Sequence, residues 1–360
     1  MRIGKINLQC FRNVEQLSLS FDGSSPALFV GSNGQGKSNI LEAIAYVGTL
    51  RSFRTFDTLP LIQKGSSEAG LWFDIRNDSG KCDEVEIRIQ ARTKRILVNG
   101  TPVTRLADYI GTFPTLAFNV EDSQWIKGEP QYRRKAMDLF LSMMDPEYLD
   151  ALSTYHKALK ARNQALKNQS GPSVVRAFSQ VMAPAAFRLV EGRRKWVDTL
   201  APILSPIHRH LVSEAESVSI DYAPSCTLSD PDAFNTTLRK NETRDSALGS
   251  TSTGPHRDDF AFTVDGSSAR SFGSEGQQRT LILAFKLAQL DLLESRLNQK
   301  AVVLLDDVFT DLDPARQQQA WSAFSRGRQI IASGTVIPDV AKKENWTIFS
   351  VCKGRIEPYA

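Results

Sequence analysis

Cysteine is scarce in this chain, with four in 360 residues. Cys10, Cys82, Cys226 and Cys352 lie far apart and form no CxxC, which excludes a disulfide framework and a zinc site. That usage fits a reduced compartment, and a cytoplasmic protein is expected. Long apolar runs are absent too: none approaches the roughly 18 residues of a membrane span, so no membrane partner is expected. The opening Met1-Arg2-Ile3-Gly4-Lys5 has no apolar stretch behind its basic residues and does not read as a signal peptide. Glycine and proline, at 22 and 16 residues, are too few for a collagen or a low-complexity chain. What is there is ordinary globular composition, 41% hydrophobic and 23% charged. At about 150 residues per domain, the length suggests roughly two domains.

The net charge is only +4, but it is unevenly spread. From His156 to His210 there are ten Lys and Arg residues against two acids, Glu191 and Asp198. Such a segment is either a solvated helical face or a surface for a phosphate backbone.

Ile6, Leu8 and Cys10, then Leu17, Leu19 and Phe21, alternate around a polar turn near Asn13, which predicts a short antiparallel pair. Pro26–Val30 is an apolar run of buried-strand length, and Ile40, Leu41, Ile44, Ala45 and Val47 keep helical spacing from near Lys37 to near Leu50. Residues 71–76, 85–90 and 95–103 alternate, with Asn99-Gly100 as a hairpin turn. From Asp122 to about Leu211 the pattern is helical, interrupted by Gly171-Pro172 and Pro184. Residues 223–255 are rich in Ser, Thr, Asn and Asp and read as a linker and return path. A strand follows at Phe260–Val264 with a turn at Asp265-Gly266, then a helix from about Gln277 to Leu297. Ala301–Leu305 and Gln329–Ala332 are apolar strands.

Between the strand ending at Val30 and the helix after it stands Gly31-Ser32-Asn33-Gly34-Gln35-Gly36-Lys37-Ser38, the P-loop pattern in its required context. The glycines let backbone N–H groups turn onto phosphate oxygens, and the helix N-terminus adds partial positive charge. ATP with Mg²⁺ is the expected ligand, held by residues 31–38 and Asn39, with Lys37 at the β- and γ-phosphates and the Ser38 hydroxyl on the metal. A P-loop needs an acidic partner on a neighbouring strand, and Val302–Leu305 ends in Asp306-Asp307. Asp306 would reach Mg²⁺ through water and Asp307 would polarise the attacking water, so Lys37 and Asp307 are the candidate catalytic residues. Just before this pair, Ser274-Glu275-Gly276-Gln277-Gln278 opens a helix, and Asp311-Leu312-Asp313 follows it. Alone, Ser274 is equally an ordinary N-cap. In this order the strings resemble the signature motif and D-loop of ABC-type ATPases. That resemblance implies that Ser274, Gly276 and Gln277 approach a γ-phosphate held by a second subunit, so that ATP joins two chains and hydrolysis releases them.

Further strings resemble the RecF family of bacterial DNA repair and replication-restart proteins, in the SMC-like branch of these ATPases. They are Leu8–Val14 with its Phe11-Arg12-Asn13 turn, the Walker A helix to Ile44, Ser52-Phe53-Arg54, Lys127-Gly128-x-Pro130-x-x-Arg133-Arg134, Leu159–Asn163 and Thr253–Asp259. The chain departs from the family pattern at three places. Ser38 stands for the usual Thr, Glu275 lies inside the signature, and Ser333-Gly334-Thr335 replaces a Thr run, with Thr335 the expected substitute at the switch position. Arg54 reads either as a nucleotide contact or as a brace for the P-loop helix. Glu121 and Asp122 occupy the place of a Q-loop-like connector, His208 and His210 read as a solvated helix end, and His256 as a loop-fixing hydrogen bond. Trp72, Trp125 and Trp196 read as core.

The expected fold is α/β: a P-loop ABC-type ATPase lobe on a mixed sheet (1–119 and 251–360) with an inserted helical lobe (120–250). The resemblance implies ATP-driven homodimerisation on DNA, single-stranded or gapped duplex, with slow DNA-stimulated hydrolysis as the reset. It also implies recombinational repair, replication restart and SOS induction, with a RecR-type mediator as partner and RecA loading at single-strand gaps as the outcome. The alternatives are a transporter's nucleotide-binding subunit, which needs no basic arm, and a non-hydrolysing ATP-bound scaffold.

Overall fold

The computed structural model describes residues 1–21, 25–55, 57–77, 80–212, 216–309 and 314–359, without the side chains of 314–316. In chain order the elements are β1 (Arg2–Phe11), β2 (Val14–Ser20), β3 (Ala27–Val30), α1 (Lys37–Thr49), β4 (Glu68–Arg76), β5 (Cys82–Gln90), β6 (Lys94–Val98), β7 (Thr101–Pro102) and β8 (Thr115–Phe118). Then follow α2 (Gln124–Lys127), α3 (Pro130–Met144), α4 (Pro146–Lys167), α5 (Pro172–Leu211), β9 (Val218–Ala223), α6 (Pro231–Lys240) and α7 (Glu242–Leu248). The chain closes with β10 (Asp259–Val264), β11 (Ser267–Ser268), α8 (Ala269–Phe272), α9 (Glu275–Leu297), β12 (Val302–Asp306), α10 (Pro314–Ser325), β13 (Ile330–Gly334), α11 (Asp339–Lys343), β14 (Thr347–Cys352) and β15 (Arg355–Pro358). Two compact units result: residues 1–122 with 289–360, and residues 123–288.

The first unit holds two six-stranded sheets, ordered β2-β1-β4-β5-β6-β7 and β15-β14-β3-β13-β12-β8. The former is antiparallel throughout, and Asn99 and Gly100 turn its β6–β7 hairpin at φ 51° and 75°, where an Asn-Gly pair is favoured. The latter is mixed, parallel from β14 to β8 with β15 antiparallel at its edge. Buried strands with apolar neighbours on both faces read as continuous hydrophobic runs, and β3 and β12 are buried at every residue. One core joins Ile6, Leu8, Phe73 and Ile87 of the antiparallel sheet to Ile40, Leu41, Ile44 and Val47 of α1 and to Phe29, Leu304 and Ile331 of the mixed sheet. The P-loop helix is therefore seated on apolar contacts from both sheets, which fixes where its N-terminus points. Trp72 differs from expectation: it is half-buried on the antiparallel sheet, packed over Gly70 and under the Arg88 guanidinium at 5.6 Å.

The second unit is built on the α4–α5 hairpin and the three-stranded sheet β11-β10-β9. Residues 251–288, expected in the ATPase lobe, pack here, because β10 pairs with β9 from Asp259↔Ala223 to Val264↔Val218. Gly171-Pro172 does break the helical run, with Pro172 opening α5. Pro184 does not: α5 continues for 40 residues through Pro184, Pro202 and Pro206. An internal proline removes one helical hydrogen bond and costs about 3 kcal/mol. Burial of Met182, Ala183, Ala185 and Ala186 around Pro184 offsets it. The expected linker at 223–255 is also corrected. Asp230 caps α6 by accepting from Ala233 N at 2.8 Å, and Phe234 and Leu238 bury that helix's apolar face. Its polar residues are caps and buried partners, not linker.

Candidate nucleotide site

The P-loop leaves β3 and enters α1 with the conformations its glycines allow. Gly34 and Gly36 have φ 78° and 111°, and a Cβ on Gly31 would stand 2.4 Å from the Val351 carbonyl oxygen. Gly36 occupies the N-cap of α1 with no side-chain cap, and no acid lies in the first turn, so the helix N-terminus presents open N–H donors. Ser32, Asn33 and Gly34 are exposed, while Lys37 is buried and donates its Nζ to the Gly31 and Ser32 carbonyls at 2.8 and 3.1 Å. The ammonium is thus held over the inside of the loop.

The acidic partner stands where the sequence required an acid, but not on the adjacent strand. β13 lies between β3 and β12, and its Ser333, in register with Asp306, bridges the gap. Asp306 Oδ1 accepts from Ser38 Oγ at 2.8 Å and from Ser333 Oγ at 2.6 Å. Burial pushes the Asp306 pKa above the ordinary carboxylate range, against the two hydroxyls that favour its charged form. Two hard oxygen donors at this distance, one of them a buried carboxylate, suit Mg²⁺. Ser333, the first residue of the Ser333-Gly334-Thr335 string, is thus a partner of the carboxylate. Asp307 takes the left-handed conformation at φ 57°, which a non-glycine residue adopts only under constraint, and its N–H donates to Ser333 O at 3.3 Å. Its Oδ1 is buried and has no hydrogen-bond partner among the described residues. Leu312 and Asp313, the expected D-loop, lie outside the described residues.

Residues of the Phe11-Arg12-Asn13 turn, of Ser52-Phe53-Arg54 and of the β14–β15 turn, which carries no motif, hold this loop in place. Asn13, on the β1–β2 turn, accepts from Asn39 Nδ2 at 2.7 Å and donates to the Gln35 carbonyl at 3.3 Å. The β14–β15 turn holds Gln35 from the other side, through Lys353 N to Gln35 Oε1 and Gly354 N to Gln35 O, both 2.8 Å. Glu42 on α1 is fully buried and accepts both Arg12 bonds, at 2.9 and 2.6 Å, together with the Ser52 hydroxyl. Arg54 donates to Asn39 Oδ1 at 2.7 Å and lies 3.7 Å from Glu42, which is the bracing arrangement of its two expected roles.

Against known proteins, the model of the RecF/RecN/SMC N terminal domain family matches residues 2–336. The DNA replication and repair protein RecF of Clostridium novyi (strain NT) is 34% identical over 363 residues, covering 99% of each chain. This chain belongs to the RecF family. The RecF of Shouchella clausii (strain KSM-K16) is likewise 34% identical over 373 residues and 99% of each chain. A solved structure of the recombination mediator protein RecF–ATP in the RecFOR pathway is 29% identical and superimposes with a TM-score of 0.92, covering 100% of this chain and 98% of that one. A Smc head bound to the C-winged helix domain of ScpA, 16% identical with a TM-score of 0.56 over 100% of this chain and 97% of that one, shares the fold. The expected α/β ABC-type ATPase fold is thus that of RecF and of SMC heads.

In the second unit, the residues expected to form the signature open α9 as a reciprocal cap. Gln277 N donates to Ser274 Oγ at 3.2 Å and Ser274 N donates to Gln277 Oε1 at 2.9 Å. Ser274 and Gly276 are exposed. Glu275, the departure from the family pattern, is paired with Lys127 at 3.3 Å.

The basic segment is not the single face that its count suggested. Arg162 is buried and bonded to Asp245, Thr251 and Ser179 at 2.8, 2.6 and 3.0 Å. Arg193 is buried and bonded to Asp138, Asp258 and the Pro255 carbonyl at 2.8, 2.9 and 2.7 Å. Arg176, Arg188 and Arg194 pair with Glu242, Asp145 and Glu191. Lys157, Lys160, Lys167, Lys195 and Arg209 are exposed. His208, expected at a solvated helix end, is fully buried, because the last turn of α5 packs inward at Leu204, His208 and Leu211. His256 fixes its loop through Tyr155 Oη at 2.7 Å and the Thr251 carbonyl at 3.0 Å.

Proposed function

We propose that the chain is an ATP-dependent DNA-binding protein of recombinational repair, replication restart and SOS induction, working in the cytoplasm. ATP binding drives homodimerisation on gapped or single-stranded DNA, slow DNA-stimulated hydrolysis releases it, and with a RecR-type mediator the cycle assists RecA loading. The observation that carries this reading is the meeting of Ser38 and Asp306 at 2.8 Å behind an open helix N-terminus, in a chain of the RecF family. The name of the ATP-bound mediator relative supports the same ligand and pathway.

In this reading the loop amides of residues 31–38 and the α1 N-terminus hold the phosphates, and Lys37 exchanges its loop carbonyls for phosphate oxygens. Ser38 and Asp306 would hold Mg²⁺, which would supply neutralisation of phosphate charge. Asp307 orients and polarises the attacking water through the carboxylate oxygen that no described protein group occupies. The exposed Lys157, Lys160, Lys167, Lys195 and Arg209 of α4 and α5 contact the DNA backbone without reading sequence. No helix among the described residues is long and apolar enough to cross a membrane.

Sedimentation with and without ATP·Mg²⁺, alongside turnover of Asp307→Asn, tests the proposal. Wild type is expected to dimerise with ATP, and Asp307→Asn to dimerise and persist as a dimer with turnover reduced at least 100-fold, in line with the loss of general base assistance. Unchanged turnover in Asp307→Asn would remove it as the catalytic carboxylate.

A further inference from the structure

Gln277 is fixed from two sides. Its Oε1 accepts the Ser274 N–H, and its Nε2 donates to Glu216 Oε1 at 3.0 Å. Glu216 precedes β9 and lies outside every string that resembles the RecF pattern. Its side chain is only 15% exposed, and among the described residues the Gln277 amide is its one hydrogen-bond partner. The second oxygen, Oε2, is buried and faces His208 Nε2 at 3.6 Å, beyond hydrogen-bond reach. Withdrawing a carboxylate from water for a single bond to a neutral amide is unfavourable for stability, since desolvation outweighs the net gain of one hydrogen bond.

What the arrangement does supply is orientation. The two ends of a glutamine amide are nearly equal in shape, but a carboxylate only accepts. With Nε2 committed to Glu216, Oε1 is left to face the Ser274 N–H and the reciprocal cap closes. Ser274 Oγ then uses one lone pair on Gln277 N, and its O–H proton stays available for an outward bond from an exposed residue.

We infer that Glu216 is a positioning residue for the signature. It selects the amide orientation of Gln277 and so aims the Ser274 hydroxyl at the phosphate of a nucleotide held by a second copy of the chain. This rests on the ATP-joined dimer proposed above.

The test compares wild type, Glu216→Ala, Glu216→Gln, Gln277→Ala and the Glu216→Ala/Gln277→Ala pair. Three quantities are read for each: the dissociation constant of the ATP·Mg²⁺ dimer, the ATP affinity of the dilute monomer, and the melting temperature. Glu216→Ala is expected to weaken the dimer roughly tenfold, the worth of one hydrogen bond with a charged partner, while leaving monomer ATP affinity unchanged. Glu216→Gln, whose amide oxygen accepts the same bond, recovers wild-type dimerisation. The pair loses no more than Gln277→Ala alone. A wild type that dimerises, with Glu216→Ala equal to it, overturns this inference and leaves the dimer reading standing. So does a loss that Glu216→Gln does not recover and that follows melting temperature. A wild type that stays monomeric with ATP overturns the dimer reading, and this inference with it.

Discussion

Replacing Glu42 by alanine probes the support beneath the phosphate loop. Glu42 is fully buried on α1 and holds Arg12 by two bonds, with Ser52 and Arg54 beside it. Breaking a buried ion pair costs about 3–5 kcal/mol, because the partner charge loses its counterion. The Arg12 side chain keeps 17% exposure and regains some water, which sets Glu42→Ala at the lower end, about 3 kcal/mol. For a unit of this size each kcal/mol moves the melting temperature by about 2–4 °C, so the expected drop is about 6–12 °C by circular dichroism. Glu42→Gln keeps an acceptor for Arg12 and should lose about half as much. The β1–β2 turn that carries Arg12 also carries Asn13, which holds Gln35 and Asn39, so ATP affinity should fall with stability in both variants. A Glu42→Ala protein that melts within about 2 °C of wild type would refute this reasoning.

Three further outcomes follow from buried groups. Burial raises the Asp306 pKa, so the folded chain binds that proton more readily than the unfolded one, and this group's contribution improves as pH falls through the raised value. Asp306→Asn should therefore melt higher than wild type at pH 7, with the gain narrowing toward acid pH, and should lose Mg²⁺-dependent turnover. Burial pushes the His256 pKa down to about 4, so the unfolded chain takes up a proton that the folded chain refuses. Stability of the second unit should fall as pH drops from about 6.5 to 4, by on the order of 3 kcal/mol, and a pH series of melts on His256→Gln should show a flatter slope. Arg193→Met leaves the buried Asp138 and Asp258 without their shared cation, at a cost of about 3–5 kcal/mol in a denaturant titration.

The local signals in the sequence were the ones with a local cause. The P-loop, the strand of Asp306 and the Asn99-Gly100 hairpin depend on backbone conformation and short-range periodicity, and each stands as read. What the sequence hid depends on distant partners. Ser333 approaches Asp306 only because β13 inserts between β3 and β12, and strand order is not written in periodicity. The charge count of α4 and α5 misled because Arg162 and Arg193 find buried acids from residues 138, 245 and 258. The polar stretch 223–255 looked like linker for the same reason, since Asp245 and Thr251 are those partners. Strands β14 and β15 carry no motif, yet their turn clamps Gln35. A polar residue three to six positions from a P-loop glycine, such as Asn39 or Glu42, is the kind of signal from which such braces can be sought.

The most direct test of the account is binding to a gapped duplex across a salt series, with and without ATP·Mg²⁺, for wild type and Lys37→Met. ATP is expected to tighten binding, and Lys37→Met to lose this effect. With Lys157, Lys160, Lys167, Lys195 and Arg209 of the arm as the contacts, the log–log salt slope should reach no steeper than about −4 to −5 per chain on duplex. Wild type that ignores DNA at moderate salt, with and without ATP, would contradict it.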